Sequence, residues 1–234
     1  MRHSPARAHY QQTLAAQAPA EGQAVSAQAA NAYELMLAKL AEDKRRLKSV
    51  QSMEKKAEVK AELLPEYLPW IEGVLYSESG RQDDVLMTVF VWSIDIGDFK
   101  TALRIGAYAI EHDLVMPDQY KRDVPTVLAE EIADKSIKAL AAELPADLES
   151  IDRTIGLTDG RDMPDEVRAK LYKAYGYANR AAGFNEPAKV ALTRALELHD
   201  KVGVKKDIER LETLIKNSPV AVDGENTAKT ESNG

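Results

Sequence analysis

The stretch Ile96-Gly97-Asp98-Phe99-Lys100-Thr101-Ala102-Leu103-Arg104-Ile105-Gly106-Ala107-Tyr108-Ala109 decides the fold, because its glycine and alanine spacing returns later in the chain. Gly183, Ala188 and Ala195 repeat the offsets of Gly97, Ala102 and Ala109. A glycine ends a helix readily because it adopts a left-handed backbone without a Cβ clash. Two alanines about two turns apart on the next helix then leave room for a neighbouring helix to approach closely. Asp98, directly after the glycine, is suited to cap that next helix.

Such a unit is a helix-turn-helix hairpin of the kind stacked in tetratricopeptide repeats. Two copies predict an all-α protein with a long N-terminal basic helix followed by helical hairpins. Upstream of the first glycine, Val85 to Ile96 is almost wholly apolar and rich in β-branched residues, so periodicity alone allows a buried strand or a buried helix. Its length and the Gly97-Asp98 stop favour the helix. Residues 99–113 make the second arm and Pro117 closes the unit. A further helix is expected over 125–142 with Val127, Leu128, Ile132 and Leu140 inward, and a connecting segment over 143–163 with a short helix near 147–155. Pro164, followed by Asp165 and Glu166, starts the second hairpin, which pairs 164–182 with 186–201. Gly203 breaks it, and Val204, Ile208, Leu211 and Ile215 give a last amphipathic helix.

Before the first hairpin, Gln28 to Leu64 lacks both Gly and Pro and predicts one long helix. Tyr33, Met36, Leu40, Leu47 and Val50 form a narrow seam on it, suited to one partner helix. Pro65 and Pro69 frame a turn into a short helix carrying Trp70, Ile71, Val74 and Leu75. Residues 1–27 are rich in Ala, Gln, Ser and Pro without an apolar period and are expected to be disordered or marginally helical, as is the polar tail over 218–234 to be disordered. The expected domains are therefore 1–27, the basic helix 28–64, a first helical domain 65–143, a second hairpin domain 144–217, and the tail.

Composition narrows the function. The 234 residues are 44% hydrophobic, enough for a real core, and contain no cysteine, so neither a disulfide framework nor thiol chemistry is expected. No signal peptide or membrane span is expected, since the longest apolar run is far short of the roughly 20 residues a span needs. His3, His9, His112 and His199 are scattered, with no metal-ligand spacing. There is no phosphate-binding glycine loop with Lys and Ser or Thr, and no nucleophile elbow, so no catalytic residue, metal or cofactor is expected. Two-metal nucleases use clustered carboxylates, for which Asp83, Asp84, Asp95 and Asp98 are the candidates. Asp84 and Asp95 lie three helical turns apart, about 16 Å along the axis, while Asp98 caps, so an acidic first turn and a cap describe these residues better.

The net charge is −7, but it is unevenly spread. Lys44, Arg45, Arg46, Lys48, Lys55, Lys56 and Lys60 face only Glu54 and Glu58 in the same window, a local net of +5. Local asymmetry decides whether a phosphate backbone is attracted. On a continuous helix Lys44, Lys48 and Lys55 fall near one face. Such a stripe can track a phosphate backbone, lie against an acidic protein surface, or solvate a coiled-coil exterior.

Several strings carry a family resemblance: Tyr33-Glu-Leu-Met-Leu-Ala-Lys-Leu40, Glu62-Leu-Leu-Pro-Glu-Tyr-Leu-Pro-Trp70, and Gln82-Asp-Asp-Val-Leu-Met-Thr-Val89 with Trp92, Asp95 and Gly97-Asp98. Met163-Pro-Asp-Glu-Val-Arg-Ala-Lys-Leu171 and Gly203-Val-Lys-Lys-Asp-Ile-Glu-Arg-Leu211 extend it. Over residues 28–216 the chain resembles the GpM-type small terminase subunits, also called terminase endonuclease subunits, of temperate contractile-tailed bacteriophages. The resemblance implies binding of double-stranded phage DNA at the packaging (cohesive-end) site of concatemers, recruitment of the large ATPase subunit and direction of endonucleolytic cleavage in the host cytoplasm. It also implies a homo-oligomer, commonly a ring, and no membrane. Members can end in a basic tail, whereas residues 218–234 carry one lysine against three acids, so the DNA contact is expected on Lys44, Arg45, Arg46, Lys48, Lys55, Lys56 and Lys60 instead. The rival readings are a metal-dependent endonuclease in its own right and a helical adaptor without DNA contact.

Overall fold

In a computed structural model the structure describes residues 4–17 and 27–217. The described residues are all-helical: α1 (Pro5–Ala16), α2 (Ala27–Ser49), α3 (Met53–Leu63), α4 (Leu68–Ser77), α5 (Asp84–Ile96), α6 (Phe99–Glu111), α7 (Val124–Ala141), α8 (Leu148–Thr158), α9 (Asp165–Ala181), α10 (Asn185–Leu198) and α11 (Lys205–Asn217), with one 3₁₀ turn at Leu64–Glu66. No helix among them is long and apolar enough to cross a membrane.

The central element is α5. Val85, Leu86, Met87, Val89 and Phe90 are fully buried, so this stretch of the helix is apolar on every side because every side is covered, while Val91 and Asp95 further along are partly exposed. Asp83 caps it, accepting from the Leu86 N–H at 2.8 Å, and Gly97 ends it with φ of 80°. Asp98 then caps α6 by accepting from the Thr101 N–H at 3.1 Å. Ala102 and Ala109 are fully buried on α6, and a Cβ at Gly106 would press on Phe90 and Leu128 at 3.2 Å. The second hairpin repeats the plan: Gly183 has φ of 84°, and Ala188 and Ala195 are fully buried. There α9 and α10 approach so closely that a Cβ at Gly176 would stand 2.5 Å from Leu192 Cδ2. It differs in its cap, since Phe184 stands where Asp98 stands and offers no side-chain acceptor. Replacing Ala102 or Ala188 by leucine should overpack these contacts and cost about 1–3 kcal/mol each, visible as a lowered thermal midpoint.

Two N-terminal expectations change. Residues 5–16, expected to be disordered or marginally helical, form the helix α1, started by Ser4 and Pro5 and held by Leu14 and Ala15 against α4. Gly73 allows that contact, since a Cβ there would meet the Gln12 carbonyl oxygen and Ala15. The rest of 1–27, and the tail over 218–234, lie outside the described residues. The single helix expected over 28–64 is broken at residues 50–52, where the Ser52 side chain accepts from the Lys55 N–H at 3.3 Å and starts α3 as a separate helix. The seam on α2 is buried within this chain: Met36, Leu40 and Leu47 are buried, and Tyr33 and Val50 pack at the core edge. One core runs from α1 to α9, and a smaller one holds Ala188 and Leu192 of α10 with Val204 and Leu211.

Candidate nucleic-acid interface

The break at residues 50–52 redistributes the basic residues. The last turns of α2 carry Lys44 and Lys48, α3 carries Lys56 and Lys60, and the four line one groove of about 520 Å³. Leu47 of α2, Thr88, Val91, Trp92 and Asp95 of α5, and Pro117, Gln119 and Tyr120 from the α6–α7 loop line it as well. Leu47 and Trp92 are buried, so their helices pack around them and hold the groove's shape. Lys44 and Lys56 are half-buried, a state in which a lysine lays its methylene stem along apolar surface and keeps its ammonium in water.

Lys60 is tethered within this groove. Its ammonium pairs with the Asp95 carboxylate, joining α3 to α5, and Lys135 of α7 donates to the Asp95 carbonyl oxygen at 3.1 Å. Nearby, burial pushes the Glu131 carboxyl above the ordinary range, an effect that Lys135 opposes and Asp95 reinforces. Among the described residues, Lys44, Lys48 and Lys56 have no acidic partner. They are the groove's uncompensated cations.

The other three basic residues of the window do not line the groove. Arg45 pairs with Glu42 at 2.7 Å, Arg46 with Glu62 at 3.0 Å, and Lys55 with Glu58 at 2.5 Å, all on exposed surface. The expected stripe of Lys44, Lys48 and Lys55 is thus replaced by facing pairs from two helices, because a new helix starts at Ser52 and its residues take a different direction from a continued α2. Tyr120 and its neighbours Lys121 and Arg122 were missed by sequence reasoning. The available signal was an aromatic beside two basic residues in the loop between Pro117 and Asp123.

The four candidate metal-binding carboxylates lie in separate local settings. Asp83 caps α5 and also accepts from Trp70 Nε1 at 2.9 Å; Asp98 caps α6; Asp95 holds Lys60. The Asp84 backbone N–H donates to the Tyr33 hydroxyl at 3.1 Å. Among the described residues no group of three or more His, Cys, Asp or Glu side chains is placed to hold a metal.

The phage small terminase subunit family model matches residues 37–166, from within α2 to the first residues of α9, a span that contains the whole groove. The chain is 45% identical over 216 residues to the terminase, endonuclease subunit, of Escherichia phage P2, covering 92% of this chain and 87% of that protein. It is 25% identical over 194 residues to the probable terminase, endonuclease subunit, of Haemophilus phage HP1 (strain HP1c1), covering 77% of this chain and 69% of that one. No solved structure matches. A match over more than half of the chain, together with a relative nearly half identical along almost its full length, places this protein in the phage small terminase subunit family.

Proposed function

We propose that this chain is the DNA-recognising subunit of a packaging terminase, acting in the host cytoplasm. It engages double-stranded phage DNA at the packaging (cohesive-end) site through the groove of Lys44, Lys48, Lys56 and Lys60, recruits the large ATPase subunit and directs the cut. It works as a homo-oligomer, which multiplies the groove along the DNA. The observation that carries this reading is the convergence of four lysines from two helices, three of them without an acidic partner among the described residues, in a chain of net charge −7. An acidic protein that keeps such cations facing one groove has a site for an anion, and family membership makes DNA the anion of choice.

A salt series with purified protein on phage-end DNA and on random duplex tests it. Three to four phosphate contacts give a log–log slope near −3 to −4, since each contributes about 0.9. A flat salt dependence would reject the reading. Arg45→Glu and Lys55→Glu, whose native partners are Glu42 and Glu58, should each leave affinity within about threefold of the parent in the same assay.

The relatives' name keeps a second reading open, that of an endonuclease acting by itself with a divalent metal. We place the cutting chemistry on the large subunit, because Asp83, Asp95 and Asp98 are each committed to a cap or an ion pair. Metal-dependent nicking by this chain alone, lost in an Asp95→Asn variant that still folds and still binds DNA, would reverse that placement.

A further inference from the structure

The lysine groove is also lined by an aromatic ring. Tyr120 lines the groove on one side and a second cleft on the other, where its neighbours include Lys121, Arg122 and Arg161. It packs at the edge of the core, so its ring is held in place rather than free to swing. Burial, with the charge of Asp95 adding to it, pushes the Tyr120 hydroxyl up, which keeps the ring neutral.

Cations from α2 and α3 beside a fixed aromatic suit an unpaired strand, backbone and base together, where a duplex engages the cations alone. A duplex keeps its bases stacked inside, and proteins read it by pushing a convex helix or ribbon into its major groove. Here the surface is concave, so its lysines can meet the phosphates of a duplex while its ring meets no base, since those bases stay stacked inside. An unpaired strand offers both a base face and free phosphates, and the two are met by a stacking ring and a row of lysines. At about 520 Å³ the groove is of the size that encloses a small organic group, about 300–1,000 Å³. Resting on the reading of this groove as the DNA site, we propose that it also holds an unpaired DNA strand, one base stacked on Tyr120 and the flanking phosphates on Lys44, Lys48 and Lys56.

Anisotropy measurements on the full chain with three probes of equal length test this: an unpaired oligonucleotide, a blunt duplex, and a duplex with an unpaired extension. Tyr120→Leu keeps the apolar packing and removes the stacking face. It should weaken binding of the unpaired and extended probes by about tenfold or more and leave the blunt duplex within about twofold. Tyr120→Phe should match the parent on all three. The proposal is overturned if Tyr120→Leu affects all probes equally or none, or if Tyr120→Phe behaves like Tyr120→Leu. Joint reversal of Lys48 and Lys56 to glutamate separates the two levels. If that variant binds every probe like the parent, the groove is not the DNA site and both readings fail. If it weakens the duplex while Tyr120→Leu leaves the unpaired probe untouched, only the single-strand proposal fails.

Discussion

Lys48→Glu combined with Lys56→Glu should weaken duplex binding by about 30-fold or more at 0.15 M salt and flatten the log–log salt slope by about 2. Each phosphate contact scales affinity as salt to the power of about −0.9, which is roughly five- to sixfold per contact at that concentration. Two lost contacts multiply to about 30-fold, and two new negative charges in the same groove add repulsion. Phage-end and random DNA should suffer equally, because phosphate contacts carry no sequence information. Neither residue is buried to the core and neither has an acidic partner among the described residues, so the thermal midpoint should stay close to the parent's. A folded double variant with the parent's salt slope would remove the groove from the DNA interface.

Where the determinants are local, the sequence shows them. Gly97 must turn left-handed and Asp98 must cap whatever follows, and both act within a few residues of where they stand. The same locality made Val85–Ile96 legible as a helix, since a buried strand would not need that glycine stop. Helix α1 was legible only as a marginal helix and its packing was not, because what admits Ala15 is the bare backbone of Gly73, far along the chain. The break after α2 left only a serine as its sign. Ser52 is an ordinary residue inside a helical pattern until its side chain turns to accept from Lys55. That small event moves Lys56 and Lys60 opposite Lys44 and Lys48 and sends Lys55 to the outside. The site was therefore legible as a charge anomaly, and its shape was not. Tyr120 shows the same limit more strongly, as its place beside those lysines depends on how a loop from α6 to α7 crosses a groove between two earlier helices.

Asp43→Ala should destabilise the fold by about 2–4 kcal/mol, the other large effect expected here. Asp43 is 8% exposed on α2 and accepts from the Tyr67 hydroxyl at 2.5 Å and from Lys39 Nζ at 2.6 Å. Tyr67 is fully buried just after the 3₁₀ turn, and burial together with Asp43 drives its hydroxyl far above the usual range, so it stays a neutral donor. Removing the carboxylate leaves that buried hydroxyl without its acceptor. Lys39 suffers less, since Glu66 stands 3.1 Å from its ammonium and the Tyr67 ring lies 4.5 Å beneath it. Tyr67→Phe should accordingly cost only about 1 kcal/mol, because the carboxylate keeps Lys39. The double variant should fall short of the sum, since both changes delete one hydrogen bond. The network ties α2 to the turn that follows α3, and so fixes the angle at which their lysines face each other. Asp43→Ala should then lose DNA affinity well below its melting temperature although no cation has been removed, whereas Tyr67→Phe should lose little. If Asp43→Ala melts and binds like the parent, the two walls of the groove are set by the apolar seam of Met36, Leu40 and Leu47 alone.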